Sequence, residues 1–455
     1  MLELDAPYSE LDAASIATLI AAGEVSAVEV IGAALEAIER HDGAIRSFAA
    51  SSPERALARA RELDALNREQ AGALPLLGVP VAVKDVFDTA DLPTAYGSEI
   101  YRGHQPAADA AAVALLREAG AVIVGKTKTS EFACMHATDT RNPLDPGRTP
   151  GGSSSGSAAA VAARLVPLAT GTQTAGSIVR PASYCGILGL KPTAGVVPLA
   201  GVLPTSATLD TAGFFARSVD DLEIALDALC AAPAGAGAAR SARSPDGAGG
   251  PHGRLRGEAP RIALVRLAWD QLEAPAREAI DRWVAGAIAA GASVVEGELP
   301  VPFEALADAQ LTIQKVETAW ALGGEADRHG DLVSEELRAY IAAGRAIARE
   351  DYLAARRLAD EQRWRWHEPF GDLDAIVAPS ALGVPPAGLE FTGDPLLCRP
   401  FTLLGGPALG LPGAWTPDGL PVGIALVGPP HTDRRVLACA RWLLGAIAAA
   451  PIPAR

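Results

Sequence analysis

The chain has 455 residues, 49% hydrophobic and 20% charged, with a formal net charge of −15. A chain of this length and apolar content buries a large core, and its acidic balance, with no run of basic residues, excludes an electrostatic grip on nucleic acid. Five cysteines without CxxC or paired spacing predict reduced thiols in a cytoplasmic protein and no disulfide framework.

The opening stretch MLELDAPYSELDAASIATLI is acidic where a signal peptide is basic, and it has no long apolar core. Neither secretion nor membrane insertion is expected. Ser26 and Glu29 form an S-x-x-E capping box ahead of an apolar stripe at Val30, Ile31, Ala34, Leu35 and Ile38, which predicts a helix. A charged helix over about 53–69, a strand over 79–84, a helix over about 107–119 and a strand over 121–124 follow. This alternation argues for an α/β layered fold. Residues 232–260, rich in Gly, Ala, Pro, Ser and Arg and without an apolar period, read as a mobile surface loop. Beyond them come a strand at RIALV, a helix over about 274–291, a strand at SVVEGELP, helices to about 369 and a strand over 375–380. The whole chain, 1–455, is expected to form one domain with the loop as an excursion.

Two motifs compete for the chemistry. Residues 120–127, GAVIVGKT, match the phosphate-loop expression G-x-x-x-x-G-K-[ST]. A phosphate cradle needs a turn with converging N–H groups before a helix, whereas Ala121–Val124 is apolar and β-branched and reads as a strand. The nucleotide-binding or interaction-protein reading therefore ranks low. The second motif is residues 151–193, where Ser153 sits in GGSSSGS and Ser177 follows Gly176 after the apolar run VPLATGT. Glycines let backbone N–H groups approach a ligand, and a serine at a sharp turn is a candidate nucleophile. Upstream, the apolar run in GVPVAVKD closes on Lys84, a cation that burial would force to pair or to lose its charge. The bland alternative is that the hydroxyls cap a helix and a turn and that Lys84 reaches solvent.

These stretches resemble the amidase signature family of serine hydrolases. The likeness covers nearly the whole chain, including GKTKTSEFA at 125–133, RTPGGSSSGSAAAVAA at 148–163, GLKPTAGVVP at 189–198 and the run 401–430. It implies a single α/β domain with a large mixed, twisted sheet covered by helices on both faces. It also implies a catalytic Ser–cisSer–Lys triad at Ser177, Ser153 and Lys84, with a cis peptide at Gly152–Ser153 and an oxyanion hole in the N–H groups of Thr174, Ala175, Gly176 and Ser177. In that scheme a neutral Lys84 draws a proton from Ser153, which takes one from Ser177 as the latter attacks the carbonyl.

Three departures from the family's common pattern stand out: Gln173 where an aspartate is usual, Ala175 for a glycine, and SIVRP for SIRxP, which moves the arginine to Arg180. The last resembles a branch acting on small polar or acidic amides such as malonamate or biuret-like compounds. Arg180, Ser154 and His136 are the candidate substrate-binding residues, with an internal salt bridge as the other reading of Arg180. The first expectation for function is an amidase hydrolysing a linear amide of a small substrate through a Ser177 acyl-enzyme. The alternative is a glutaminase-like subunit of an amidotransferase. None of the seven histidines has ligand spacing, so neither a metal nor a cofactor is expected. Expected partners are a small-molecule amide and, as an option, a second copy in a homodimer, with no nucleic acid and no membrane.

Overall fold

The computed structural model describes residues 8–230 and 258–447. The loop expected over 232–260 therefore lies outside the described residues except for its last three. Eleven strands form one sheet. In chain order they are β1 (Phe48–Ser51), β2 (Pro80–Lys84), β3 (Val122–Thr127), β4 (Leu168–Gln173), β5 (Leu188–Lys191) and β6 (Thr211–Ala216). The second half adds β7 (Arg261–Leu264), β8 (Ser293–Glu296), β9 (Ala375–Pro379), β10 (Ala408–Trp415) and β11 (Pro421–Val427). Their spatial order is β1-β3-β2-β4-β6-β5-β10-β11-β9-β7-β8.

The sheet is mixed. Strands β3, β2 and β4 run parallel at one flank and β9, β7 and β8 at the other, while every pair from β4 through β6, β5, β10 and β11 to β9 is antiparallel. Strands β2 to β6, β9 and β11 are buried at every position. That is why their sequences read as continuous apolar runs instead of an alternation. Only the edges expose residues: β1 is half-buried and β8 is mostly exposed.

The expected helices are present with two adjustments. Ser26 caps the helix Ala27–Ile45 with the full capping box to Glu29, an arrangement in which losing the cap costs about 1 kcal/mol. The charged helix expected over 53–69 is two helices, Pro53–Asp64 and Arg68–Gly72. Asn67 breaks it because its side chain accepts the Gln70 N–H while Gln70 Oε1 accepts the Asn67 N–H, a second capping box. The helix expected from about 107 begins at Ala111; Asp109 is held outside it by the Ala90 N–H at 2.8 Å and by Arg117 at 3.0 Å.

GAVIVGKT is the strand β3, not a loop. Its Lys126 is fully buried and pairs with Asp85 at 3.1 Å, so the lysine that would reach a phosphate is spent inside the core.

Candidate active site

β2 and β4 are parallel neighbours, so their C-terminal ends lie side by side. Lys84 ends β2, and Thr170, Thr172 and Gln173 end β4. Lys84 is fully buried; its Nζ lies 2.8 Å from Ser153 Oγ and 2.7 Å from Thr172 Oγ1. Burial pushes Lys84 down from 10.5 to about 7, opposed by the more distant charge of Asp210. A lysine near neutrality is the state in which its nitrogen can accept a proton.

Ser153 lies in the segment before the helix Ser155–Ala162, whose residues up to Val161 are all buried. Small side chains are needed there. A Cβ at Gly156 would come 2.5 Å from the Lys128 nitrogen and closer still to the Ser47 carbonyl oxygen. Two backbone bonds dock this segment, Ser130 N–H to the Ser153 carbonyl at 3.1 Å and Gly156 N–H to the Lys128 carbonyl at 3.0 Å. The Gly152–Ser153 peptide is cis, as the family resemblance implied. Ser154 is buried, with its Oγ 3.4 Å from the Thr172 carbonyl.

The turn Thr174–Ser177 leaves β4 and enters the helix Val179–Cys185. Ser177 is partly exposed. Gln173 closes the turn: its Oε1 accepts the N–H groups of Ile178 at 2.9 Å and Val179 at 3.0 Å, while its Nε2 donates to Thr402 Oγ1 at 2.9 Å. The glutamine thus accepts and donates at once, where an aspartate could only accept. Among the described residues, the N–H groups of Ala175, Gly176 and Ser177 have no acceptor. Three successive free donors make a cradle for an anion.

Arg180 is 4% exposed. Its Nη2 donates to the Gly152 carbonyl at 2.6 Å and to Thr392 Oγ1 at 3.3 Å, while Nε and Nη1 are buried without a partner. No described carboxylate lies within ion-pair distance, so the geometry is not that of an internal salt bridge. Burial lowers its proton affinity, yet an arginine stays charged in proteins. His136 is not brought to this cluster; its side chain is 62% exposed and stands 3.8 Å from Glu336.

Three polar residues of the site carry no signal in the sequence. Asp210 accepts the Thr174 hydroxyl and the N–H groups of Thr205 at 2.8 Å and Ser206 at 2.9 Å, and burial raises its carboxyl to about 6 against the effect of those bonds. Gln310 Nε2 donates to the Thr174 carbonyl at 2.8 Å. Thr402 Oγ1 donates to the Ala175 carbonyl at 2.6 Å. The TLD context of Asp210 is an unremarkable run before a strand, Gln310 is one of many polar residues on its helix, and Thr402 is a lone hydroxyl in a short one.

A family model described as Amidase matches residues 29–437. The chain belongs to the amidase family. This amidase resembles a glutamyl-tRNA(Gln) amidotransferase subunit of Rhodopirellula baltica, with 35% identity covering 93% of this chain and 94% of that protein. The corresponding subunit of Symbiobacterium thermophilum is 34% identical, covering 94% and 95%. Among solved structures, the peptide amidase of Stenotrophomonas maltophilia superposes with a TM-score of 0.78 at 31% identity, covering 98% of this chain and 99% of that one. A structure described as a vestigial complex that reveals the origins of an s-triazine catabolic enzyme gives 0.83 at 32%, covering 96% and 98%. The protein is thus an enzyme of the carbon–nitrogen hydrolase and amidase kind.

The relatives also correct one expectation. A free-standing amidase for a small linear amide ranked first on sequence, with an amidotransferase component second. Relatives that match end to end are components of amidotransferases, and the order is reversed. The displaced Arg180 bears only on which amide is bound and does not outweigh a likeness that runs the length of the chain. No described helix is long and apolar enough to cross a membrane.

Proposed function

We propose that this amidase is the glutaminase component of an amidotransferase, releasing ammonia from the glutamine side chain for use by a partner chain. The observation that carries the reading is the end-to-end likeness to glutamyl-tRNA(Gln) amidotransferase components at 34–35% identity. Ser177 Oγ attacks the amide carbon and its proton passes to Ser153, whose own proton moves to the neutral Lys84 across the 2.8 Å contact. The tetrahedral oxyanion rests in the free N–H groups of Ala175, Gly176 and Ser177. The C–N bond then breaks as the stored proton returns through Ser153 to the nitrogen, and ammonia leaves. Water, deprotonated by the same relay, cleaves the Ser177 ester to give glutamate.

Arg180 supplies a buried cation with two free donor nitrogens, suited to the substrate's α-carboxylate. The net charge of −15 leaves recognition of any RNA-linked acceptor to the partner. The test is ammonia and glutamate release from glutamine by the chain alone and by the complex purified from its own host. Glutamine turnover that rises in the complex is expected. Turnover of malonamate or biuret by the lone chain, with none of glutamine in either state, overturns the reading.

A further inference from the structure

The oxyanion cradle is built from three successive peptides, and each has its carbonyl engaged on the far side. The Thr174 carbonyl accepts from Gln310 Nε2 at 2.8 Å, the Ala175 carbonyl from Thr402 Oγ1 at 2.6 Å, and the Gly176 carbonyl from the Arg180 N–H at 3.0 Å. The cis peptide among the described residues is Gly152–Ser153, so these three are trans. In a planar trans peptide the C=O and the following N–H point in opposite directions. A side chain that fixes the Thr174 carbonyl therefore aims the Ala175 N–H, and one that fixes the Ala175 carbonyl aims the Gly176 N–H.

We propose that Gln310 and Thr402 are positioning residues for the oxyanion hole, each setting the direction of one N–H donor by holding the carbonyl of the same peptide. The inference rests on the acyl-enzyme reading above, but not on which amide is the substrate. Both side chains come from distant segments: Gln310 is buried on the helix Phe303–Arg328 and Thr402 on the helix Arg399–Leu404. Gln310 also donates to Gln314 Oε1 at 3.0 Å, which fixes the amide plane. Thr402 Oγ1 accepts from the Gln173 amide, and its one hydrogen faces the Ala175 carbonyl at 2.6 Å in preference to the Cys398 carbonyl at 3.2 Å. Arg180 contributes only its backbone to the third peptide, which a side-chain substitution leaves in place. The direction of a donor matters because an oxyanion exists only in the transition state and intermediate, so mis-aiming it lowers kcat and spares KM.

The experiment compares Gln310→Met, Thr402→Val and Thr402→Ser in the full chain, reading the rate at which a fluorophosphonate labels Ser177. That reaction develops charge on an oxygen in the same cradle and needs no knowledge of the substrate. Gln310→Met and Thr402→Val should each slow labelling by about 10- to 100-fold, less than the full loss of one donor. Thr402→Ser, which keeps the hydroxyl, should stay within about threefold of wild type on the same scale. With glutamine, kcat should fall in parallel at unchanged KM. Labelling at the wild-type rate in folded Gln310→Met overturns the proposal, as does Thr402→Ser slowed as far as Thr402→Val. Wild-type labelling at Ser177 without glutamine turnover overturns the glutaminase reading alone and leaves this comparison intact.

Discussion

Lys84 and Lys126 sit on adjacent strands, both fully buried, and they are held in opposite ways. In the parallel β2–β3 register Lys84 pairs with Thr127 and Val83 with Lys126. Paired positions share a face and successive residues alternate, so the two ammonium groups leave the sheet on opposite sides. Lys126 meets a carboxylate, Asp85 at 3.1 Å, together with the Phe87 carbonyl at 2.7 Å and Thr94 Oγ1 at 2.6 Å. Lys84 meets only the hydroxyls of Ser153 and Thr172. Burial lowers the proton affinity of both lysines, but for Lys126 a carboxylate in contact opposes it, whereas for Lys84 the hydroxyls leave it unopposed at close range and free the nitrogen to accept a proton.

The largest effect that would test this contrast is at the proposed nucleophile, Ser177, and its proposed base, Lys84. Ser177→Ala should remove at least about 10⁴-fold of kcat and Lys84→Met about 10³-fold or more, by analogy with the loss of a nucleophile or a general base. Circular dichroism should show both variants folded. Lys126→Met should do the reverse: specific activity per folded molecule stays, while stability in urea falls by about 3–5 kcal/mol because Asp85 is left buried and unpaired. A Lys84→Met variant with near-wild-type kcat, or a Lys126→Met variant that is stable and inactive, would break the comparison.

A pH titration is the next step down. kcat/KM should rise with pH through about 7 as Lys84 loses its proton, then level off. The linkage has a matching sign in stability. Below about 7 both native and unfolded chains hold the proton, and the penalty of burying it is constant. Between about 7 and the ordinary value of 10.5 the unfolded chain holds a proton that the native one lacks, so this residue's contribution to stability rises with pH across that window. Lys84→Met should flatten both profiles. Equal pH dependence of unfolding in wild type and Lys84→Met would show a lysine that stays charged when buried.

How far the sequence revealed this site follows from which of its contacts are local. The serine segment, the strand before Lys84 and the turn at Ser177 were legible because short runs of glycine, serine and apolar residues dictate their own backbone. The sheet strands were legible because a strand buried on both faces must be apolar throughout. What holds the turn from outside was not. Asp210 reaches Thr174 across 36 residues, Gln310 reaches it across 136, and Thr402 reaches Ala175 across 227. A polar side chain read in its own segment says nothing about where a partner that distant in sequence lies. His136 shows the converse, a candidate substrate contact whose side chain stands in solvent beside Glu336.

Gln173 offers the finest adjustment of the contrast between the two lysines. It is neutral where the family commonly has an aspartate, and it lies next to Thr172, the residue that faces Lys84. Gln173→Glu keeps the acceptors for the Ile178 and Val179 N–H groups but places a charge one residue from Thr172, the contact of the proposed base. As a general scale, opposite charges at an effective dielectric constant of about 20 interact by about one pKa unit at roughly 10 Å. The rise of kcat/KM should therefore move to higher pH by about that much, drawing Lys84 part of the way toward the condition of Lys126. The introduced carboxylate also cannot donate to Thr402, whose one hydroxyl hydrogen is then drawn to it and away from the Ala175 and Cys398 carbonyls. The plateau should drop a few-fold while the midpoint of the profile rises. A lowered plateau with an unmoved midpoint would mean that Lys84 is insulated from charge on β4 and that its low proton affinity comes from burial alone.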